Sequence, residues 1–156
     1  MTVTSKAEKF GAALAKAVKA STGITSATLG GALFRTNIRN VPTRKGLAGD
    51  SGSIDLRLLI DKSSAGADNT LGWSVLKPGA CYGPRQLRNC DAFFIVLKGH
   101  GHLIADAGRE PCAEGDVVYC PRGVRHGFDN TSGEDAVVFW GFLGAGSIEA
   151  AGRQGD

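Results

Sequence analysis

The sequence lacks the features that mark several specialised classes of protein. No apolar run approaches the ~18 residues that a membrane-spanning helix needs, and no N-terminal apolar segment with charged flanks indicates a signal peptide. The basic residues form no long run and the net charge is only +3, so we expect neither nucleic acid nor a membrane as a partner. The four cysteines include no C-x2-C pair, which argues against a structural zinc site. We therefore expect a cytoplasmic protein with reduced thiols.

Glycine, in contrast, is abundant: the 156 residues include 23 glycines, as is typical of a fold with many tight turns. The length predicts one domain, large enough to bury about two-thirds of its unfolded surface without disulfide bonds. Near the N-terminus, Phe10, Leu14 and Val18 recur at helical spacing and predict an amphipathic helix over residues 1–20. Composition predicts a glycine-rich arm (21–52) and a flexible tail (147–156), and the pattern of strands between them predicts a barrel (53–146).

Short apolar segments separated by turn signals follow one another through most of the chain. Ile54, Leu56, Leu58 and Ile60 alternate with other residues, as expected of a half-buried strand, whereas residues 92–97 are apolar throughout and predict a strand buried on both faces. Strands at such short intervals predict an all-β sandwich or barrel. The predicted strands are 32–38, 53–61, 71–77, 92–97, 102–106, 117–120, 126–130 and 134–143.

The most informative stretch runs from Gly115 to Asn130. Pro121 ends a short apolar run because it has no N–H for a β-ladder, and Gly123 suits a tight turn with positive φ. An extended segment carrying His126 follows the turn. The order G-x5-P-x-G-x2-H-x3-N resembles the second motif of the cupin superfamily at every fixed position. The resemblance extends from Trp73 to Phe142 and implies an all-β, cupin-type jelly-roll barrel, preceded here by the N-terminal α-helix and arm.

The first motif of the family is degenerate in this sequence. In the family it reads roughly G-x5-H-x-H-x3,4-E-x6-G, and its two histidines and glutamate usually hold a divalent metal together with the second-motif histidine. Counting back from the motif's last glycine places the glutamate position at Ala92. The histidine positions fall at Gln86 and Arg88 with the three-residue spacer, or at Arg85 and Leu87 with the four-residue spacer.

Of the four usual ligands, therefore, only His126 remains. A divalent metal needs several imidazole, carboxylate or thiolate donors, so we expect either no cofactor or a weakly bound Fe, Mn, Ni or Zn ion. If a metal binds, the candidate ligands are His126, Gln86 and Asp91, the last only if a local bulge corrects its facing. His100 and His102 form an H-x-H pair, but they follow the glycine turn and are expected to face solvent. The alternative is a displaced metal site that they form with His126.

The resemblance leaves three functions open. The favoured one is a metal-independent isomerase or lyase that acts on a small anionic substrate with a carbonyl or carboxylate group. His126 would be its general acid or base, and Arg88 or Gln86 would stabilise negative charge. The second is a metal-dependent dioxygenase or decarboxylase with the atypical ligands, and the third is a non-catalytic small-ligand-binding protein. Family members usually pair, so a homodimer is expected. The candidate substrate-binding residues are Tyr82, Cys90, Phe94, Trp73 and Tyr119.

Overall fold

A computed structural model describes residues 27–29 and 33–154, which fall into two units, residues 1–42 and 43–156. The first unit contains an antiparallel hairpin of β1 (Ala27–Leu29) and β2 (Leu33–Arg35), followed by a 3-10 turn over Ile38–Asn40. The helix predicted over residues 1–20 lies outside the described residues. Within the described part of the chain, no helix has the length and apolar character needed to cross a bilayer.

The second unit is built mainly of strands. Its elements, in chain order, are β3 (Arg44–Lys45), β4 (Ile54–Ile60), α1 (Lys62–Ala65), β5 (Thr70–Leu76), β6 (Cys81–Leu87), β7 (Asp91–Lys98), β8 (His100–Ala105), β9 (Gly108–Ala113), β10 (Val117–Cys120), β11 (His126–Asp129), β12 (Ala136–Leu143) and β13 (Arg153–Gln154).

These strands form two antiparallel sheets that enclose one core. The six-stranded sheet has the order β10-β7-β12-β5-β4-β3, and the five-stranded sheet has the order β13-β6-β11-β8-β9. Side chains from both sheets meet in a single buried apolar cluster, to which Leu56, Val96 and Val138 contribute from one sheet and Leu87 and Phe128 from the other. The arrangement confirms the all-β prediction and is that of a jelly-roll barrel.

Two strands differ from their predictions, β4 in facing and β7 in burial. In β4 the register shifts between Leu58 and Ile60, so Leu59 turns into the core and Ile60 does not. A bulge of this kind inserts one residue and reverses the alternation beyond it. In β7 the inward residues are buried as predicted, but Phe93 is only half-buried and Leu97 is 41% exposed. That strand is therefore covered on one face and partly open on the other.

The turn predicted between β10 and β11 is present. Gly123 has φ of +77°, the left-handed conformation that favours glycine. Its N–H donates to the Leu87 carbonyl at 2.7 Å, which fixes the turn against the end of β6. His126 then opens β11, so the turn places this side chain beside β6.

The C-terminal segment packs further than the predicted boundary at residue 146. Ala151 is fully buried, and β13 pairs with β6, with Arg153 opposite Leu87 and Gln154 opposite Gln86. The composition of residues 147–156 predicted a flexible tail, but the described part of this segment adds an edge strand to the five-stranded sheet.

Candidate functional site

A cavity of about 60 Å3 lies between the two sheets, and the second-motif histidine, His126, is in its wall. Most of the lining is apolar, with aromatic rings from four strands, as is usual for small-molecule sites. The polar groups in the wall come from His126, Arg85 and Tyr82. The lining residues are Leu47, Leu56, Tyr82, Arg85, Leu87, Ala92, Phe93, Phe94, His126, Gly127, Phe128, Trp140 and Phe142.

The ring of His126 is held by the turn that precedes it. Its Nδ1 lies 3.0 Å from the Val124 carbonyl oxygen, so in the neutral ring Nδ1–H donates this bond and Nε2 keeps its lone pair. Burial lowers the pKa of His126 below its ordinary value; the bond to Val124 opposes this, and the positive charge of Arg85 adds to it. The imidazole is therefore neutral near pH 7, and it can accept a proton or donate a lone pair.

Arg85 is the cross-strand partner of His126 in the β6–β11 ladder, and it forms a buried ion pair with Asp50. The side chains are 10% and 4% exposed, respectively. Asp50 Oδ2 also accepts the Leu47 N–H at 2.7 Å, which ties the loop before β4 to this pair. Burial, together with the charge of Arg153, lowers the pKa of Arg85 to about 10. The guanidinium therefore stays charged at neutral pH, beside a neutral imidazole.

A hydrogen-bonded cluster joins the two sheets beside the cavity. The Tyr82 hydroxyl and Trp140 Nε1–H both donate to Ser74 Oγ, at 2.5 Å and 2.9 Å. Ser74 is fully buried, and burial raises the pKa of Tyr82, so its phenol stays protonated. Because both donors are used by Ser74, these rings present mainly their apolar faces to a ligand.

The direction in which the side chains of β6 and β7 point corrects the candidates drawn from the first motif. Arg85, Leu87 and Ala92 line the cavity, which matches the four-residue spacer. Gln86 faces the other side of β6, where it donates to Gln154 at 3.2 Å, and Arg88 is exposed in the turn after β6. Neither side chain lies beside His126 in the cavity wall. Arg85, and neither Gln86 nor Arg88, lies beside His126 in the structure.

The structure does not group the three candidate metal ligands, which are His126, Gln86 and Asp91. Asp91 lies on the outer face, where it accepts bonds from the Tyr119 hydroxyl at 2.7 Å and from Arg122 Nε at 3.1 Å. No bulge turns it inward, because it precedes Ala92, and Ala92 faces the cavity.

The candidate substrate-binding residues divide into two groups. Tyr82 and Phe94 line the cavity, whereas Cys90 is a fully buried core residue outside the lining, and burial raises the pKa of its thiol. Trp73 points away from the core on β5, and Tyr119 is 57% exposed. Cys90, Trp73 and Tyr119 are therefore not in the wall of this cavity.

A divalent metal does not fit the residues at the family position. His126 offers one imidazole, but Arg85, Leu87 and Ala92 have no lone pair suited to a metal, and the guanidinium would repel a cation. In the described ranges, no three His, Cys, Asp or Glu side chains are grouped closely enough to bind a metal ion. His100 is exposed, and His102 lies by Asp129 and Thr131, so these two do not complete the set.

Asp50, the ion-pair partner of Arg85, was not singled out from the sequence, whereas Trp140 was expected to line or back an apolar pocket and does line it. Asp50 lies in a glycine-rich loop, and such an acid could have been suspected only after an arginine had been placed inside the barrel. Trp140 lies on β12 in a pattern of alternating burial, and this pattern marks it as core without distinguishing a cavity wall from solid packing.

Residues 72–142 match the family model described as "Cupin domain". The matched region covers just under half of the chain and includes the second motif, and the similar barrels among solved structures share its fold. No curated protein matches the chain.

Several solved structures share the fold over most of their length. A predicted oxalate decarboxylase from Thermotoga maritima is 18% identical, with a TM-score of 0.64 over 69% of this chain and 96% of that one. The polyketide cyclase RemF from Streptomyces resistomycificus is 24% identical, with a TM-score of 0.60 over 70% and 78%. A sugar phosphate isomerase from Silicibacter pomeroyi is 21% identical, with a TM-score of 0.57 over 66% and 71%. At these identities the likeness establishes the fold alone.

Proposed function

We propose that this chain is a metal-independent cupin enzyme of the isomerase or lyase type, in which His126 moves a proton on a small organic substrate inside the barrel. The observation that carries the proposal is the state of His126. Its Nδ1 is engaged by the Val124 carbonyl oxygen, its Nε2 has no hydrogen-bond donor or acceptor among the described residues, and its ring lines an apolar cavity. A general base needs a neutral imidazole at the working pH with its free nitrogen open to substrate.

Arg85 takes the role that the sequence suggested for Arg88 or Gln86. In the proposed step, Nε2 of His126 removes a proton from a carbon next to a carbonyl group. The C–H electron pair forms a C=C bond, the carbonyl π-electrons move to oxygen, and an enolate results. The charge of Arg85, directly across the ladder from His126, stabilises that oxygen. Imidazolium then donates the proton to that oxygen, which gives the enol isomer of the substrate; return of the proton to the carbon it left regenerates the substrate and, in D2O, exchanges its hydrogen.

The lining limits the substrate. The cavity is mostly apolar and about 60 Å3 in volume, smaller than the roughly 150 Å3 that holds a benzene ring. A substrate with more than a few atoms must extend beyond it. The barrels described as a sugar phosphate isomerase and a polyketide cyclase support such chemistry in this fold, although they do not identify this substrate.

A second candidate function is non-catalytic binding of a small ligand. It is favoured by the Arg85–Asp50 pair, because a guanidinium already neutralised by a buried carboxylate stabilises a new negative charge less than a lone one would. Under this alternative, His126 contributes a hydrogen bond to the ligand and no proton transfer occurs.

Exchange of carbon-bound hydrogen tests the proposal without knowledge of the product. The purified chain is incubated in D2O with a panel of small aldehydes, ketones and 2-oxo acids, and loss of the proton next to the carbonyl is followed by NMR. We expect enzyme-dependent exchange with at least one compound, and His126→Gln to slow it by about 100-fold or more. His100→Gln, the same change at an exposed histidine on β8, should exchange like the wild type.

Three results would count against a metal-independent enzyme that uses His126. Exchange by His126→Gln at the wild-type rate would remove His126 from the reaction. Activity that is lost to a chelator and restored by a divalent ion would show a metal enzyme. Binding of panel compounds without any exchange would support the non-catalytic alternative. Thermal unfolding of each variant shows that the fold is retained.

A further inference from the structure

A second cavity adjoins the first and has a different character. Its volume is about 370 Å3, and three of its lining residues are arginines: Arg85, Arg125 and Arg153. The remaining lining residues are small, namely Ala48, Gly49, Gly83 and Pro84. Arg85 belongs to the walls of both cavities.

The fold brings these arginines together from distant parts of the sequence. Arg85 lies on β6, and β13 pairs with the same strand so that Arg153 lies opposite Leu87. Arg125 immediately precedes His126, which lies opposite Arg85 on the other side of β6. Strand β6 therefore contributes Arg85 to this cavity, and the segments paired on its two sides contribute Arg125 and Arg153.

Among the described residues, two of these arginines have a carboxylate within ion-pair distance, whereas Arg153 has only the more distant negative charge of Glu149, which opposes the lowering of its pKa. Arg85 is paired with Asp50, while Arg125 Nε lies 3.9 Å from Asp106 Oδ1, and the side chain of Asp106 is 80% exposed. Among the described residues, no carboxylate lies within ion-pair distance of Arg153. Its NH2 group donates to the Ala48 carbonyl oxygen at 3.0 Å, but its Nε is buried without a hydrogen-bond acceptor in that same part of the chain.

This arrangement is costly unless an anion offsets it. Burial lowers the pKa of Arg153, and the charge of Arg153 contributes to the lowered pKa of Arg85, so both guanidiniums are partly desolvated and close enough to repel each other. A planar guanidinium presents several N–H donors in a fork that matches carboxylate and phosphate oxygens. An oxyanion is thus the ligand that both the charge and the unused donor favour.

We propose that the cavity lined by Arg85, Arg125 and Arg153 is an oxyanion-binding site that takes a phosphate or carboxylate group. The proposal does not rest on proton transfer by His126, because the site stands on its own arginines and can be assayed without turnover. The oxyanion is either a free ion or the acidic end of a ligand whose body enters the apolar cavity past Arg85.

Binding of inorganic phosphate to the full chain tests the site. Calorimetry and thermal unfolding in a phosphate-free buffer should show saturable binding that weakens as sodium chloride is added. Arg153→Gln should weaken phosphate binding by about tenfold or more and remove the phosphate-induced rise in Tm. Arg153→Lys, which keeps the charge but not the fork, should fall between the two. Arg44→Gln, the same change at an exposed arginine on β3, should bind phosphate like the wild type.

A second arm compares phosphate with phenyl phosphate and acetate with phenylacetate. Tighter binding of the aryl ligands, lost in Arg153→Gln, would show that one ligand spans both cavities; equal binding within each pair would show a site for free oxyanions. Both outcomes support the proposal. Absence of saturable binding by all four compounds, or equal binding by wild type and Arg153→Gln, would overturn it. Either result leaves the deuterium-exchange test of His126 unaffected.

Discussion

The burial of the Arg85–Asp50 ion pair predicts how much stability is lost when one partner is removed. Arg85→Met removes the guanidinium but leaves the Asp50 carboxylate, which is 4% exposed, in place. Its Oδ2 still accepts the Leu47 N–H, but its nearest positive charge is gone. Breaking a buried ion pair by removing one partner typically costs about 3–5 kcal/mol, because an uncompensated charge stays buried. We expect Arg85→Met to lower the free energy of unfolding by about 3 kcal/mol.

The double variant Arg85→Met/Asp50→Asn supplies the control. The asparagine amide keeps an oxygen for the Leu47 N–H and carries no charge, and replacing both members of a buried pair is often close to neutral. The double variant should therefore be more stable than Arg85→Met alone, with a coupling energy of about 2 kcal/mol or more. Urea unfolding at pH 7.5, followed by tryptophan fluorescence, measures the wild type, both single variants and the double variant. A loss below about 1 kcal/mol in Arg85→Met, or a double variant as unstable as the sum of the single variants, would refute a desolvated pair.

Two further predictions concern single side chains. Because burial lowers the pKa of His126, the unfolded chain binds its proton more readily, so the free energy of unfolding should fall as pH decreases below about 6.5, by at most about 1.4 kcal/mol per pH unit. Urea unfolding at pH 7.5 and 5.5 should show a smaller change in His126→Gln, and an unchanged pH dependence would contradict this. Asn130→Ala should cost about 1–3 kcal/mol, since its buried amide donates to the Leu76 and Glu134 carbonyls at 2.9 and 2.7 Å. Asn89→Ala, which removes an exposed amide, should cost less in the same assay; equal losses would contradict the role of burial.

The second motif was readable from the sequence because it is local. A proline without an N–H, a glycine that adopts positive φ and a histidine three residues later all lie within one turn, and each constrains the backbone by itself. The positions of β5 and β12 were readable in the same way, but the facing of β5 was not, because Thr70 and Ser74 are buried in it whereas Trp73 points outward. The fold class and the placement of His126 needed no information about distant parts of the chain.

The partners of His126 could not be chosen in the same way. Facing alternates only within a strand, and β6 ends at Leu87 while β7 begins at Asp91. The turn between them resets the alternation, so counting back from Ala92 cannot decide whether Arg85 or Gln86 faces the cavity. A bulge between His126 and Phe128 shifts the β6–β11 register as well. Asp50 and Arg153 come from a glycine-rich loop and a polar terminus, where no period marks which side chains turn inward.

The inward orientation of Arg85 beside His126 changes the chemistry expected of the barrel. In the family, a cation near the second-motif histidine is held by donors from the first motif; here one of those donor positions carries Arg85, whose own charge occupies the neighbourhood of His126. A guanidinium, like a metal ion, disfavours protonation of a nearby imidazole and attracts a developing oxyanion. Unlike a metal ion, it has no coordination site to offer oxygen or water. A barrel with this substitution is therefore suited to reactions in which a proton moves and negative charge collects on an oxygen, and it is poorly suited to reactions in which a substrate must coordinate a metal.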